Sequence, residues 1–273
     1  MNVKTVLIYT TLILYLILSL FPFVWLVNTS FKTADEVLSP TFFGSFTPVL
    51  ENYKAVLTED RLLERVGNSL LLSLATVIIT IPIGSLAGYA FARMKIRRKN
   101  DWFFIFLTTR MAPPVAFGVP FYLLLTQAKL LDTFIGMLAV YTFMNLAFCI
   151  WLSRSFFEEI PVEIEEAALV DGCGRFKTFI RITLPLAVSG IITTAILIFI
   201  LTWNEFFFAS ILTRNNMTTY TVHLTSYFGS TRIEWGELAA ASTIVSLIAI
   251  VFAFLIHKYI VRGFSLGIVK GEK

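Results

Sequence analysis

The chain has 273 residues, of which 57% are hydrophobic and only 15% are charged, and its formal net charge at pH 7 is +4. A soluble domain of this length could not tolerate so many apolar side chains on its surface, which excludes an ordinary soluble enzyme or binding module. The composition instead predicts a protein that lies within a lipid bilayer.

Six apolar runs follow one another along the chain, each about 20 to 25 residues long and therefore roughly 30 Å or more as a helix. They are residues 7–27, 69–92, 102–126, 134–153, 186–209 and 238–257. In lipid, only a helix satisfies every backbone polar group within one such segment. The sequence thus predicts an all-α integral membrane protein with six transmembrane helices, in one domain of residues 1–273 with its core at about 65–260. The first run is too long for the apolar part of a signal peptide, so we expect an uncleaved helix.

Basic residues orient these helices, because short loops rich in lysine and arginine stay in the cytoplasm. With both termini inside, 14 of the 22 basic residues lie on the cytoplasmic side and seven outside, while Arg110 lies within the third run. The sharpest contrast is between the strongly basic loop 93–99 and the loop 126–133, which has a single lysine. We therefore expect a multi-pass protein of the cytoplasmic membrane with both termini in the cytoplasm. A basic loop this short, between two membrane helices, does not indicate nucleic-acid binding.

The third run contains a charged residue followed by prolines. Arg110 lies roughly 12 Å into this helix, and Pro113, Pro114 and Pro120 lack the N–H groups that a continuous helix needs, so we expect a kink or break. A charge within an apolar span is a functional candidate, which places Arg110 and Pro114 in a possible translocation path. Alternatively, Arg110 extends to the cytoplasmic surface or binds carbonyl groups that the prolines leave free.

The loop between the fourth and fifth runs is polar and rich in helix-forming residues. Pro161 can open a helix, because its missing N–H falls where donors are unpaired anyway. Carboxylates favour the positive end of a helix, and three of them follow: Glu163, Glu165 and Glu166. Gly172 and Gly174 can leave the helix in a left-handed conformation. The pattern predicts a short helix with the small Ala167 and Ala168 on its surface, either as a docking element or as an ordinary amphipathic connector.

This loop resembles the E-A-A…D-G…I-x-L-P signature of permease subunits from binding-protein-dependent ABC importers. Eight residues match it: Glu166, Ala167, Ala168, Asp171, Gly172, Ile182, Leu184 and Pro185. Two departures are Cys173, where the family usually has Ala, and Ser189, where a Pro is common. The resemblance implies a type I ABC importer permease fold whose cytoplasmic coupling helix, in a loop of residues 158–185, docks in a cleft of an ATP-hydrolysing partner. Energy coupling would then pass through residues 163–185.

The fifth run contains Trp203, Asn204 and Glu205, followed by three phenylalanines. Aromatic residues near the end of a span often form an interfacial belt, where Glu205 would simply meet water. The segment also resembles the W-N-E-F stretch of sugar-importer permeases, which implies that these three residues line or gate the translocation path. In the maltose-type heterodimer, substrate contacts fall largely on the other permease subunit.

Two further stretches resemble the smaller, maltose-type permease subunit. Residues 262–271 match its G-L-T-x-G-A-V-K-G ending, which implies that Gly267, Lys270 and Gly271 belong to a tail inserted between paired ATPase subunits. Taken by themselves, these residues indicate a frayed end. Residues 46–53 resemble the F-T…N-Y stretch of the first outer loop, so the similarity covers most of the chain.

The sequence offers no catalytic or metal-binding constellation of its own. It contains no Gly-rich phosphate loop, so we expect it neither to bind nor to hydrolyse ATP. Cys149 and Cys173 lie at different depths and lack metal-ligand spacing, and the two histidines are far apart. We therefore expect no cofactor in this chain, and the resemblance implies that ATP and Mg²⁺ bind to the partner ATPase subunits.

The resemblance implies the permease subunit of an ATP-driven importer for a sugar or sugar-like solute. Its partners would be a second, different permease, two ATPase subunits, an extracytoplasmic solute-binding protein and the lipid bilayer. Import of an amino acid, peptide or osmolyte stays open, because the coupling signature is shared among importers. An ion-coupled carrier would show internal repeats and buried acids near the midplane, and a membrane enzyme would show clustered catalytic side chains; the sequence shows neither.

Overall fold

The computed structural model describes residues 3–38, 46–229 and 233–268, without the side chains of 107 and 255–268. Within these ranges the chain is helical apart from its connecting loops and one antiparallel bridge between Phe228 and Ile233. The α-helices are α1 Val3–Ser30, α2 Ala34–Val37, α3 Glu51–Lys54, α4 Leu62–Arg93, α5 Lys99–Met111, α6 Pro114–Gln127, α7 Phe134–Glu158, α8 Val162–Val170, α9 Arg175–Thr178, α10 Leu184–Leu186, α11 Val188–Trp203, α12 Phe207–Leu212, α13 Tyr220–His223 and α14 Trp235–Ile268. Shorter turns are π-helical at Ala55–Glu59 and Phe179–Thr183, and 3₁₀-helical at Leu224–Tyr227.

Four of the described helices are long and apolar enough to cross a membrane: α1, α4, α7 and the part of α14 from Trp235 to Phe254. Two bent helix pairs have the length and composition to form one further span each. In one, α5 and α6 meet at an angle of 91°, and in the other the segment Arg175–Leu186 meets α11 at 78°. Counting each bent pair as one span gives six, the number that the sequence predicts.

The first bent pair breaks where the prolines of the third run predict it. Ala112 and Pro113 are both extended, and Pro114 then occupies the first turn of α6, where a missing N–H costs nothing. Pro120 does not break the chain, since α6 continues through it. The break thus depends on the adjacent pair of prolines.

The fifth span differs from the continuous helix predicted for residues 186–209. It bends at Ala187, ends at Trp203 and restarts as α12. The reason for the restart is local, because the carboxylate of Glu205 accepts the N–H groups of Phe208 and Ala209 at the start of α12. The last helix is also longer than the predicted 238–257, since it begins at Trp235 and continues to Ile268.

Backbone contacts divide the chain into two compact units, residues 1–66 with 222–252 and residues 67–221 with 253–273. In the first unit, the amide of Asn52 donates hydrogen bonds to the carbonyls of Ser30 and Lys32, at 2.9 and 2.8 Å. The hydroxyl of Tyr53 is 2.7 Å from that of Ser30. Asn52 and Tyr53 therefore fasten α3 to the end of α1.

The second unit packs its helices closely through small residues. A Cβ added at Gly84 would collide with Cys149, and one at Gly88 would collide with Ser153, so α4 and α7 lie nearly backbone to backbone. Gly190 leaves similar room for the ring of Phe156. This close packing brings the ends of α4, α7 and α11 together, and the loop that contains α8 emerges there.

Candidate functional site

The short helix predicted after Pro161 is present as α8. Pro161 is its N-cap, and the helix ends at Val170. Gly172 has a φ of +85°, so it adopts the left-handed conformation that its sequence position predicts. The N–H of Gly172 bonds to the carbonyl of Leu169, and that of Cys173 to the carbonyl of Ala168, which together form a Schellman motif. Gly174 instead is extended and begins α9.

The two faces of α8 differ in burial. Glu165 and Ala168 are each about 5% exposed and face the rest of the unit. Glu166 and Ala167 are exposed, and so is Val170, at 87%. The prediction that both alanines lie on the helix surface is wrong for Ala168, since its position three residues after Glu165 places it on the same inward face.

The remaining residues of the signature lie on the segment that leads into the fifth span. Asp171 caps α8 and is exposed, as is Pro185 within α10. Ile182 and Leu184 are half-buried, and Leu184 packs against a core cluster beneath the loop. The signature therefore has an exposed part at the end of α8 and a packed part at the bend of the fifth span.

The inward face of α8 is joined to the end of α4 by a buried ion pair. The Nε of Arg93 lies 2.9 Å from Oε1 of Glu165, and their side chains are only 10% and 6% exposed. The hydroxyl of Tyr89 donates to Oε2 of the same carboxylate at 2.9 Å. Nη2 of Arg93 also donates to the carbonyl of Ile160, at 2.7 Å. Sequence reasoning missed this group, which we name the α8 clasp: Tyr89, Arg93 and Glu165.

An aromatic cluster lies directly beside the α8 clasp. The ring centroid of Tyr89 lies 5.8 Å from that of Phe157, in α7, and 4.8 Å from that of Phe179, in the π-helical turn. Phe157 and Phe179 also contact each other at 5.8 Å. Edge-to-face and tilted rings at these distances attract each other beyond their burial alone. The end of α4, the end of α7 and the π-helical turn therefore meet at Tyr89.

The candidates in the broken third span occupy exposed positions. Arg110 lies in the last turn of α5 with its guanidinium carbon 5.4 Å from the ring centroid of Phe148, a cation–π contact. Pro114 is exposed at the start of α6. In the part of the chain that the structure describes, no hydrogen bond, ion pair or ring contact joins Arg110 or Pro114 to the W-N-E-F segment, so a shared translocation path stays a prediction.

Most polar groups of the W-N-E-F segment bond within the chain. Glu205 accepts the hydroxyl of Tyr141 at 2.9 Å, besides the two N–H groups at the start of α12. Trp203 is buried against the ring of Tyr220. Asn204 and Phe206 are exposed; the amide N–H of Asn204 donates to the carbonyl of Ile200, and its Oδ1 accepts the hydroxyl of Tyr220 at 3.3 Å. The geometry gives Glu205 a capping position at the start of α12, and a role of these residues in the translocation path stays a prediction.

A second fastening lies in the loops at the opposite ends of these spans. The carboxylate of Asp132, between α6 and α7, accepts the N–H groups of four consecutive residues after α12: Arg214, Asn215, Asn216 and Met217. Partial burial acts to raise the pKa of Asp132, but the four N–H donors outweigh it, and the pKa lies below its ordinary value. Asp132 therefore clamps two loops that are about eighty residues apart in sequence.

The predicted tail contact lies at the edge of the described residues. Gly267 falls within α14, whereas Lys270 and Gly271 lie outside the residues that the structure describes. Among the described residues, no group of three or more His, Cys, Asp or Glu side chains could hold a metal ion.

Comparison with known proteins relates most of the chain to one family of membrane transport components. The profile of the family described as binding-protein-dependent transport system inner membrane component matches residues 62–266. The chain is 32% identical over 277 residues to the trehalose/maltose transport system permease protein MalG of Thermococcus litoralis, covering 98% of each chain. It is 31% identical over 255 residues to the diacetylchitobiose uptake system permease protein DasC of Streptomyces coelicolor, covering 92% of each.

A solved structure supports the same fold. The chain resembles a subunit of a bacterial ABC transporter involved in the import of the acidic polysaccharide alginate, with a TM-score of 0.75. The match covers 94% of this chain and 95% of that chain, at 23% sequence identity. The predicted fold class, an all-α ABC importer permease, is confirmed.

Proposed function

The chain belongs to the family of binding-protein-dependent transport system inner membrane components, and from that premise we propose that it is the permease subunit of an ATP-driven importer that moves a sugar or sugar-like solute into the cell. The observation that carries the proposal is the outward face of α8, which exposes Glu166 and Val170 while its inward face is fixed to a membrane span. A surface helix that is attached through one face and exposed on the other is suited to dock against a partner.

The partner that fits the outward face of α8 is an ATPase subunit. The small Ala167 lets another backbone approach closely, Val170 offers apolar area, and Glu166 offers charge for a basic group. When two ATPase subunits close on ATP, α8 follows them and favours one of two arrangements of the spans. Solute and its binding protein bias the same equilibrium from outside. ATP and Mg²⁺ stay with the ATPase subunits.

The solute class rests on the relatives. Two relatives that match nearly the whole chain carry names for trehalose and maltose transport and for diacetylchitobiose uptake. Asn204 is exposed, and its amide is a group that can hydrogen-bond sugar hydroxyls; the buried rings of Trp203 and Tyr220 lie beside it in a tilted contact. A second, different permease subunit completes the path, with α8 and both termini of this chain in the cytoplasm.

The test is reconstitution of the chain with a second permease, its ATPase subunits and a binding protein, in lipid. We expect ATP hydrolysis and uptake to rise when the binding protein is loaded with trehalose, maltose or diacetylchitobiose. Stimulation by amino acids, peptides or glycine betaine alone would overturn the solute class. ATP hydrolysis by the purified single chain would overturn the role of a separate ATPase.

The role of the outward face is tested by Glu166→Lys. Reversing a charge at a docking surface costs several kcal/mol if the pair is buried and much less at a rim, so the ATPase subunit should co-purify poorly and uptake should fall. Asp35→Lys is the matched control, since Asp35 is also an exposed acid in the first turn of a helix, α2. Normal uptake by Glu166→Lys would make α8 a connector only.

A further inference from the structure

The α8 clasp is unusual for a loop on the surface of a membrane protein because it buries a charged pair. A charge removed from water is costly unless its partner and additional hydrogen bonds compensate it. Here both oxygens of Glu165 are engaged, one by Arg93 and one by Tyr89. Such an arrangement holds α8 in one orientation relative to the end of α4, since it is satisfied only while all partners keep their places.

The contacts of Arg93 extend the attachment to a second span. Its guanidinium bridges Glu165 of α8 and the carbonyl of Ile160, just beyond the end of α7, in a fork that a lysine could not reproduce. Tyr89 connects the clasp to a third element, because its ring packs against that of Phe179 at the start of the fifth span. One surface helix is thereby fastened to three membrane-spanning elements at a single point.

The two neighbouring acids of α8 have opposite surroundings. Glu165 is 5% exposed and paired inside the subunit, whereas Glu166 is exposed. Residues one apart on a helix point in different directions, so a single short helix can present one carboxylate to its own subunit and the next to a partner. The chain thus carries a separate inward connection next to its outward docking surface.

We propose that the α8 clasp transmits the movement of α8 to the membrane spans, with Glu165, Arg93 and Tyr89 acting as positioning residues that keep α8 and the end of α4 one rigid body throughout the transport cycle. This inference rests on the proposed function, because it assumes that an ATPase subunit moves α8. Without the clasp, α8 follows the ATPase while the spans lag behind, so ATP is hydrolysed without matching uptake.

The first experiment measures coupling in the reconstituted complex with Glu165→Gln, Arg93→Gln and the double variant. We expect each single variant to keep its ATPase subunits and to lower the amount of solute moved per ATP by about tenfold, which is within the range for residues that connect two sites. The double variant should be no worse than the more affected single variant, since residues that act as a unit are not additive. Arg97→Gln, an exposed arginine of the following loop, is the control for lost charge.

The second experiment measures the rigid body directly. Spin labels at Met94→Cys and Glu163→Cys, both exposed, report the distance between the end of α4 and α8 in a Cys173→Ala chain. We expect one narrow distance distribution, the same with and without ATP, which broadens or shifts with ATP when Glu165→Gln is added.

The outcomes separate the inference from the function on which it rests. If the unmodified complex shows no solute-stimulated uptake, the proposed function fails. If the unmodified complex shows solute-stimulated uptake but both single variants keep the normal uptake per ATP, the clasp does not couple α8 to the membrane spans. Loss of the ATPase subunits from the variants, or an unchanged distance distribution in Glu165→Gln, would likewise overturn the inference, because the clasp would then only support the fold.

Discussion

At the scale of single residues, the backbone conformation of Gly172 leaves little choice of side chain. Its φ of +85° belongs to a region where an ordinary side chain adds strain of about 1–2 kcal/mol. The space around it is open, so the strain comes from the backbone conformation and not from a collision. The end of α8, and with it the exposed position of Asp171, depends on this conformation.

The first prediction follows from that conformation. Gly172→Asp should abolish uptake while the subunit still inserts in the membrane, because it adds both strain and a carboxylate at the negative end of α8. Gly172→Asn should be milder, since asparagine tolerates left-handed backbone. Gly174→Asp is the matched control, for Gly174 is extended with open space around it. Uptake assays on the three variants check this, and equal activity of Gly172→Asp and Gly174→Asp would refute it.

Asp132 is a second such residue, because its hydrogen-bond partners determine its pKa. Four N–H donors lower its pKa, so the folded state binds its last proton less readily than the unfolded chain. The stabilisation is therefore fully present above the unfolded pKa and is lost as the pH falls through the lower, folded value. The lowered pKa of Asp132 therefore predicts that its attachment of the two loops weakens only in acid.

The second prediction uses Asp132→Asn, which keeps one acceptor oxygen but removes the charge. The complex should lose roughly 1–2 kcal/mol of stability at neutral pH, because hydrogen bonds to a charged acceptor are stronger than those to a neutral one. The difference from the unmodified protein should shrink as the pH falls, since protonation then weakens the native clamp as well. Thermal unfolding in detergent from pH 7 downward measures it. A difference that grows in acid would contradict the sign.

At the scale of elements, the fifth span shows how a local carboxylate redirects a helix. Composition predicted an uninterrupted run to Ala209, but Glu205 caps a new helix instead and binds Tyr141, which lies 64 residues earlier. Nothing within a window of the sequence indicates that partner. The broken third span was predictable, because two adjacent prolines act through their own backbone.

The third prediction separates the two interpretations of Glu205. If it caps α12, Glu205→Gln should lower the thermal stability of the complex by about 1 kcal/mol or more and leave the order of preference among sugars unchanged. Asn204→Ala, at the exposed neighbour, should do the reverse and alter uptake of sugars with little effect on stability. A change of solute preference in Glu205→Gln alone would instead indicate that Glu205 belongs to the translocation path.

At the scale of the whole molecule, the class of fold followed from composition, because apolar runs of membrane length have few alternatives in lipid. The helical end at Gly172 also followed, since glycine acts locally. The α8 clasp did not follow, because Arg93 and Glu165 are 72 residues apart and only the fold brings them together. Glu165 was assigned to the helix dipole, a role that any acid in the first turn could fill. The sequence thus predicts a docking surface on α8, and the structure shows how α8 is attached to the rest of the chain.

The last prediction concerns the orientation of the chain in the membrane, for which the excess of basic residues in the loop 93–99 predicts that this loop faces the cytoplasm. A cysteine at the exposed Arg97 should react with an impermeant thiol reagent only from the cytoplasmic side, and one at the exposed Asn216 only from outside. Asn216 contributes its backbone N–H to the Asp132 clamp, so Asn216→Cys keeps that contact. A Cys173→Ala chain removes the accessible native thiol and leaves the buried Cys149. Labelling at 216 from the cytoplasm would place α8 outside the cell, where no ATPase could reach it, and would remove the basis for coupling through this helix.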